Sequence, residues 1–380
     1  MRDSRHSAEQ LWRGVDSDSD RIPVWLDCDT GHDDAFAALV AAHSPRLNLL
    51  GISTVYGNAP IEQTTANTLS ILTAIQRTSI PVYPGSSHPF CRPPCFAPDI
   101  HGASGLDGTT CLPKASIAAQ SGKSAIQAAY EALIATPPNT AYVVATGTQT
   151  NMGLLFSTYP DLASHIKGLH IMGGAVGSSF TPAPMGVITD SAGHKEERFG
   201  NWSHWAEFNI YCDPESALSL FAHPELKKKI MLVPLDLSHL FLATKDVQNA
   251  LLHGFDTEPK AEVSMVRKLF NEILTFFAQT YADVFGLVQG PPLHDVLPVL
   301  AILAPEIFHD QDGERFAVDV VIDGAHGTDG IARTTSRIGQ TVVSALEKGQ
   351  QGVRIPRDLD GETAWRIIDL CLNAAEKTPK

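Results

Sequence analysis

Between Pro23 and Pro45 the chain places four carboxylates in eight residues, Asp27-Cys28-Asp29-Thr30-Gly31-His32-Asp33-Asp34, with no Lys or Arg to offset them. The apolar, β-prone stretch Val24-Trp25-Leu26 precedes the run and the helical pattern Ala35-Phe36-Ala37-Ala38-Leu39-Val40 follows it. A strand that delivers so much like charge into a helix is tightly constrained, because two carboxylates about 5 Å apart repel by roughly 3 kcal/mol at an effective dielectric near 20. Helix capping accounts for one or two of the four, since the positive end of a helix favours acidic side chains. The rest need a cation, a proton or divergent directions. Oxygen-only ligands favour Ca2+ or Mg2+ over zinc, so a hard divalent metal is the simplest expectation.

The strand-then-helix order recurs along the chain. Short β-rich runs at Val24–Cys28, Leu49–Val55, Val82-Tyr83, Tyr142–Ala145, Gly168–Met172 and Ile230–Leu237 alternate with helical patterns ending at His43, at Ile61–Ile75, Ser124–Ala135 and Pro214 to about His223. Further helices are expected near Lys245–Leu252, Val263–Val284, His294–Ala304 and Gly361–Ala374, with a β-rich segment at Phe316–Ile322. Such alternation predicts right-handed βαβ crossovers. No Pro/Gly/Ser-rich linker divides the chain. The expected architecture is therefore one α/β domain over residues 22–380, with a mainly parallel central sheet flanked by helices, behind a polar, disordered lead-in at 1–21. Two long loops, Ser86–Gly122 and Gly177–Trp205, read as covers for a site. In open parallel sheets that site lies beyond the carboxyl ends of the strands, where the acidic run sits.

Charge and composition narrow the function. A net charge of −14 with scattered Lys and Arg excludes the basic face that nucleic acid requires. No apolar run approaches the roughly 18 residues of a membrane span, and the charged first 20 residues lack a signal peptide's apolar middle, so the cytoplasm is the expected location. Six Cys in 380 residues are too sparse for a disulfide framework and are expected as free thiols. With no GxGxxG or Walker loop, phosphate-bearing substrates are disfavoured.

Three further polar segments adjoin well-patterned elements: Thr146-Gly147-Thr148-Gln149-Thr150-Asn151, Ala206-Glu207-Phe208-Asn209 leading to Asp213-Pro214-Glu215, and Pro292-Leu293-His294-Asp295. Asp213-Pro214 taken alone reads as a helix N-cap followed by Pro at the first helical position. Together with the acidic run, Val55-Tyr56-Gly57-Asn58, His101-Gly102-Ala103-Ser104-Gly105-Leu106-Asp107-Gly108, Met172-Gly173-Gly174 and Gly200-Asn201, the chain closely resembles the inosine–uridine-preferring nucleoside hydrolase family. The motifs occur in the family's order from Val24 to about Asp295.

The resemblance implies Ca2+-dependent hydrolysis of the N-glycosidic bond of a ribonucleoside, in a homodimer or homotetramer. It implies metal ligation by Asp29, Asp34, the Thr150 carbonyl and Asp295, with Asp29 also serving as the general base for the attacking water. Asp33, Asn58, Asn201, Glu207, Asn209 and Asp295 fall where the family grips ribose hydroxyls, His294 where it helps the base depart, and His101 on a loop that approaches the base. Trp202, Trp205 and His204 are candidates for base recognition. Thr30 stands where many members carry Pro. His32 has no implied role and reads as a solvent-facing loop residue. Two rivals use the same residues: a non-catalytic nucleoside-binding protein, and a haloacid-dehalogenase-like phosphatase in which Asp27 would be the nucleophile.

Overall fold

The acidic run begins inside strand β1 (Ile22–Cys28), which pairs in parallel with β2 (Leu47–Thr54) on one side. The computed structural model describes every residue except 1–3, 15–16, 18–19, 186, 190–192, 194, 198–199, 259–261, 327–335 and 379–380. Strands β3 (Val82–Pro84), β4 (Tyr142–Ala145) and β5 (Gly168–Met172) follow. A small antiparallel pair, β6 (Val187–Thr189) and β7 (Lys195–Glu197), lies within the Gly177–Trp205 loop, and β8 (Ile230–Val233) completes the main sheet. The six-stranded order is β3-β2-β1-β4-β5-β8, with every neighbouring pair parallel. The direction of strand succession reverses between β1 and β4, and a crevice opens beyond the strand ends at such a reversal.

Side chains alternate across β1. Val24, Leu26 and Cys28 enter a core with Phe36, Leu39, Leu269, Phe270, Leu297 and Ile368, while Trp25 enters the opposite core with Ala129, Leu155, Leu169 and Leu220. Both faces are covered by helices, as a parallel sheet demands. The register pairs Cys28 with Thr54 and Asp27 with Ala145. The segments that leave β1, β2 and β4 at Asp29, Val55 and Thr146 therefore emerge side by side.

Several helix starts carry their own signals: Ser124, Thr244 and Ser264 each accept a backbone N–H in the first turn. The helix Met265–Phe285 ends on Gly286, whose φ of 71° is the left-handed conformation that glycine adopts without strain. Pro234 ends β8 earlier than the apolar run Ile230–Leu237 suggests, because proline cannot donate to a ladder, and Leu235–Ser238 is helical. Within residues 1–21, expected as a disordered lead-in, Ser4–Trp12 is a helix; Ala8 is buried, and Leu11 and Trp12 pack on the main core from the same face. The strand Thr341–Ala345, which pairs with Phe316–Val320, had no clear signal in the sequence. All six cysteines are free thiols, and among the described residues no helix is long and apolar enough to cross a membrane.

The helix Met265–Phe285 is fastened to the C-terminal helix Gly361–Lys377 through Arg267, which is fully buried. Its guanidinium meets Asp369 at 2.7 Å and Glu376 at 3.1 Å and bonds to Asn373 at 2.9 Å. Removing one partner of a buried ion pair strands the other charge, at a typical cost of about 3–5 kcal/mol. Arg267→Ala should lower the unfolding free energy by about that amount in a denaturant titration. A change below about 1 kcal/mol would show that the clasp is dispensable.

Candidate active site

Asp29, Asp33, Asp34 and Asp295 are all buried. Asp33 and Asp34 occupy the first turn of the helix His32–His43, and Asp295 directly precedes Val296–Leu303 without capping it through its side chain. Oxygens of Asp33, Asp34 and Asp295 lie within 4.8 Å of one another. Burial, reinforced for Asp29 and Asp33 by the charge on Asp34, raises these carboxyls; Asp33 is pushed up to about 7, and Asp29 and Asp295 well above the ordinary range. Asp34 is also raised by burial, opposed by its hydrogen bonds. Asp295 shares hydrogen bonds with Asp33 and Asp34, and carboxyls can bond to one another only through a retained proton.

The backbone around the cluster is shaped to receive these charges. Asp34 accepts from Gly31 N at 2.8 Å, Thr146 Oγ1 at 2.8 Å and Asn58 Nδ2 at 3.2 Å. Asp29 Oδ2 accepts from Asn58 N at 2.8 Å. A Cβ on Gly57 would lie 2.0 Å from that oxygen, so only glycine permits the approach. Asp29 Oδ1 is buried without a hydrogen-bond partner, as is Asn209 Oδ1. A buried carboxylate oxygen without a donor is costly, and a cation is one ligand that would satisfy it.

A cleft of about 480 Å³, measured out to its open mouth, is lined by Asp33 and Asp295 of the cluster, while Asp29 and Asp34 lie behind its wall. Its polar lining comprises Asp33, Asn58, Asn201, Glu207, Asn209 and Asp295, together with His101 and His294. Eight candidates distant in sequence thus share one wall. Glu207 caps the helix Phe208–Cys212 and accepts three backbone N–H bonds, from Gly174 (2.9 Å), Asn209 (2.8 Å) and Ile210 (3.0 Å). Burial still raises its carboxyl above the ordinary value. Asn209 Nδ2 donates to Thr146 O at 2.9 Å, and Asn201 Oδ1 accepts from Phe208 N at 2.9 Å.

His294 is held by two hydroxyls, with Nδ1 2.6 Å from Ser238 Oγ and Nε2 2.7 Å from Tyr281 OH. Burial and then His239 push its pKa well below the usual value, so the ring is neutral. His101 is neutral for the same first reason, with His32 and His294 adding to it.

Some candidates sit elsewhere. Thr150 turns its hydroxyl to Asp213 at 2.6 Å and does not line the cleft. Asp213 caps Pro214–Ala222 as expected, accepting from Ser216 N at 3.1 Å. Trp202 lines the cleft, whereas Trp205 lies under Arg337, 4.1 Å from its ring centroid, with His204 against its ring. Asp27 points into the Trp25 side of the sheet, where Asn151 Nδ2 (2.7 Å) and Ser53 Oγ bond its Oδ1. It faces away from the carboxylate cluster, and with it the nucleophile that a phosphatase reading requires is turned from the site. His32 is not solvent-facing: it is fully buried, because the helix turn that carries it packs under Phe276 and Phe277.

The sequence reading missed Thr146, Met172 and the aromatic wall formed by Phe277, Tyr281 and Phe285. Those three follow one another at i, i+4 spacing on the helix Met265–Phe285. That stripe was the available signal, but it is also the pattern of an ordinary core face.

The family described as inosine-uridine preferring nucleoside hydrolase matches residues 24–366. The chain is 41% identical over 284 residues to the uridine nucleosidase of Saccharomyces cerevisiae, covering 74% of this chain and 76% of that protein. It is 33% identical over 375 residues to a probable ribonucleoside hydrolase of Dictyostelium discoideum, covering 94% and 97%. The solved purine-preferring ribonucleoside hydrolase from Gardnerella vaginalis aligns with a TM-score of 0.74 over 94% of this chain and all of that one; at 22% identity this is a likeness of fold.

Proposed function

The chain belongs to the inosine-uridine preferring nucleoside hydrolase family and is an N-glycosyl hydrolase of nucleosides, and we propose that it uses Ca2+ to split uridine- or inosine-type ribonucleosides into ribose and free base. The observation that carries this reading is the convergence of Asp33, Asn58, Glu207, Asn209 and Asp295 on one cleft with His294. We assign the ion to Asp29, Asp34, Asp295 and the Thr150 carbonyl; the donors are all hard oxygens, and the buried, partnerless Asp29 Oδ1 is a vacant acceptor beside them. Ca2+ held there supplies positive charge that orients a water and lowers its pKa.

Asp29 takes the proton from the attacking water. Asp33, Asn58, Asn201, Glu207, Asn209 and Asp295 hold the ribose hydroxyls, and the carboxylates among them favour positive charge as it develops on the sugar. Proton delivery to the departing base falls to His294, which is neutral in the empty site, bonded to Tyr281 and adjoining the sugar site, and which must take up a proton with bound substrate before passing it on. We also propose a homodimer or homotetramer, as the family resemblance implies, and a cytoplasmic location, which light scattering and cell fractionation test.

The raised carboxyls fix the sign of the metal's pH dependence. Without an ion, the cluster retains protons at neutral pH, because burial raises Asp33 to about 7 and holds Asp29 and Asp295 well above the ordinary carboxylate range. Adding Ca2+ to chelator-treated protein at pH 7 should therefore release protons, and affinity should fall as pH falls. Calorimetry in buffers of different ionisation enthalpy reads this directly. Asp34→Ala should abolish the binding, and zinc in an active preparation would contradict the assignment.

If Asp33 and Asn58 meet the 2′-hydroxyl, 2′-deoxyuridine should react roughly 10²-fold more slowly than uridine or worse, since a buried polar group loses its partner. Equal release of free base from the two nucleosides, or preference for the 5′-monophosphate, would refute that placement. His294→Ala should retain Ca2+ yet lose about 10²–10⁴-fold in turnover of a natural nucleoside. It should lose far less on p-nitrophenyl riboside, whose leaving group needs little protonation. Equal losses on both substrates would make His294 a sugar-positioning residue instead.

A further inference from the structure

His32 is the residue of the acidic run that the chemistry above does not use. Its ring is fully buried and lies nearly parallel to those of Phe276 and Phe277, at centroid distances of 5.2 and 5.3 Å. Its Nε2 lies 2.9 Å from the backbone oxygen of Asp107, and its Nδ1 lies 3.1 Å from Nδ1 of His101. A carbonyl oxygen can only accept, so Nε2 of His32 carries the proton. A neutral imidazole has one N–H, which leaves Nδ1 of His32 as a lone pair. The proton between the two Nδ1 atoms therefore belongs to His101. Its remaining nitrogen, Nε2, is the lone-pair nitrogen of a ring that lines the cleft.

A doubly protonated His32 would reverse this order, but it would bury a full charge whose two nitrogens meet only the backbone oxygen of Asp107 and a neutral imidazole, which is costly. The close approach is also built into the backbone, since a Cβ on Gly31 would fall 2.5 Å from His101 Nδ1.

We infer that His32 is a positioning residue that locks His101 into the Nδ1–H tautomer, so that His101 meets the substrate as a hydrogen-bond acceptor through Nε2. The inference rests on the reading of this cleft as the nucleoside site. It gives the two cleft histidines different tasks: His294 is bonded at both nitrogens to hydroxyls, whereas His101 offers a lone pair to an N–H or O–H of the bound nucleoside and does not supply the leaving-group proton.

Nitrogen NMR of the full-length enzyme labelled with 15N-histidine tests it, with His101→Gln assigning the resonances. The expected wild-type spectrum shows His101 protonated at Nδ1 and bare at Nε2. His32→Leu removes the acceptor, so His101 should move to the Nε2–H form or a mixture, and kcat/KM for uridine should fall by roughly tenfold, about the worth of one hydrogen bond. His32→Asn, whose side-chain oxygen reaches the place of Nδ1, should restore both tautomer and rate. A wild-type His101 protonated at Nε2, or a tautomer unchanged in His32→Leu, overturns the inference. If His32→Leu does not fold, the wild-type spectrum alone decides. The tautomer is read without substrate, so its failure leaves nucleoside hydrolysis standing, and failure of that activity leaves the tautomer measurement intact.

Discussion

The mutual repulsion of Asp29, Asp33, Asp34 and Asp295, all buried at the base of one cleft, is the constraint around which this structure is arranged. Each charge has a local answer. Asp34 accepts from Gly31 N, Thr146 Oγ1 and Asn58 Nδ2; Asn58 N serves Asp29; and Asp295 bonds to Asp33 and Asp34 through a retained proton. These donors come from the segments after β1, β2 and β4, which the parallel register delivers to one level. The sheet thus assembles the cluster's partners, and the proposed cation would replace its protons.

From this floor the cleft changes character. Amide and carboxylate groups near the cluster suit vicinal hydroxyls, whereas Trp202, Phe208, Phe277, Tyr281 and Phe285 make an aromatic wall suited to a flat ring. The two histidines in the cleft are neutral through burial. A site that binds a neutral sugar and develops positive charge on it gains from carboxylates nearby, so His101 fits the proposed chemistry as a neutral acceptor, whereas His294 must carry an added proton at the step in which the base leaves.

Much of this was legible in the linear order of residues. The strands Tyr142–Ala145 and Gly168–Met172 match the sequence expectation, and β1 differs from it only at its start. Short-range rules suffice there: two-residue alternation, Pro and Gly as stops, and Ser, Thr or Asp as caps. The polar side of the cleft was legible for a different reason. Short, unusual strings such as Glu207-Phe208-Asn209 and His294-Asp295 resemble motifs of the nucleoside hydrolase family.

The sequence by itself determined that a strand would carry a carboxylate cluster to the head of a helix, that the sheet would be parallel, and which hard-oxygen and amide side chains were available. Only the tertiary structure decided which of them face one another. Asp27 is two residues from Asp29, yet strand alternation sends it into the Trp25 core, where Ser53 and Asn151 hold it. His32 is polar and follows a glycine, yet helix packing drives it under two phenylalanines and against His101. The stripe Phe277-Tyr281-Phe285 has the spacing of any core face and becomes a cleft wall only because it shares one cleft with the segments that leave β1, β2 and β4. Spacing along the chain encodes direction relative to the local backbone, whereas burial and partnership depend on which distant segment arrives opposite, and that is set by the packing of the whole sheet.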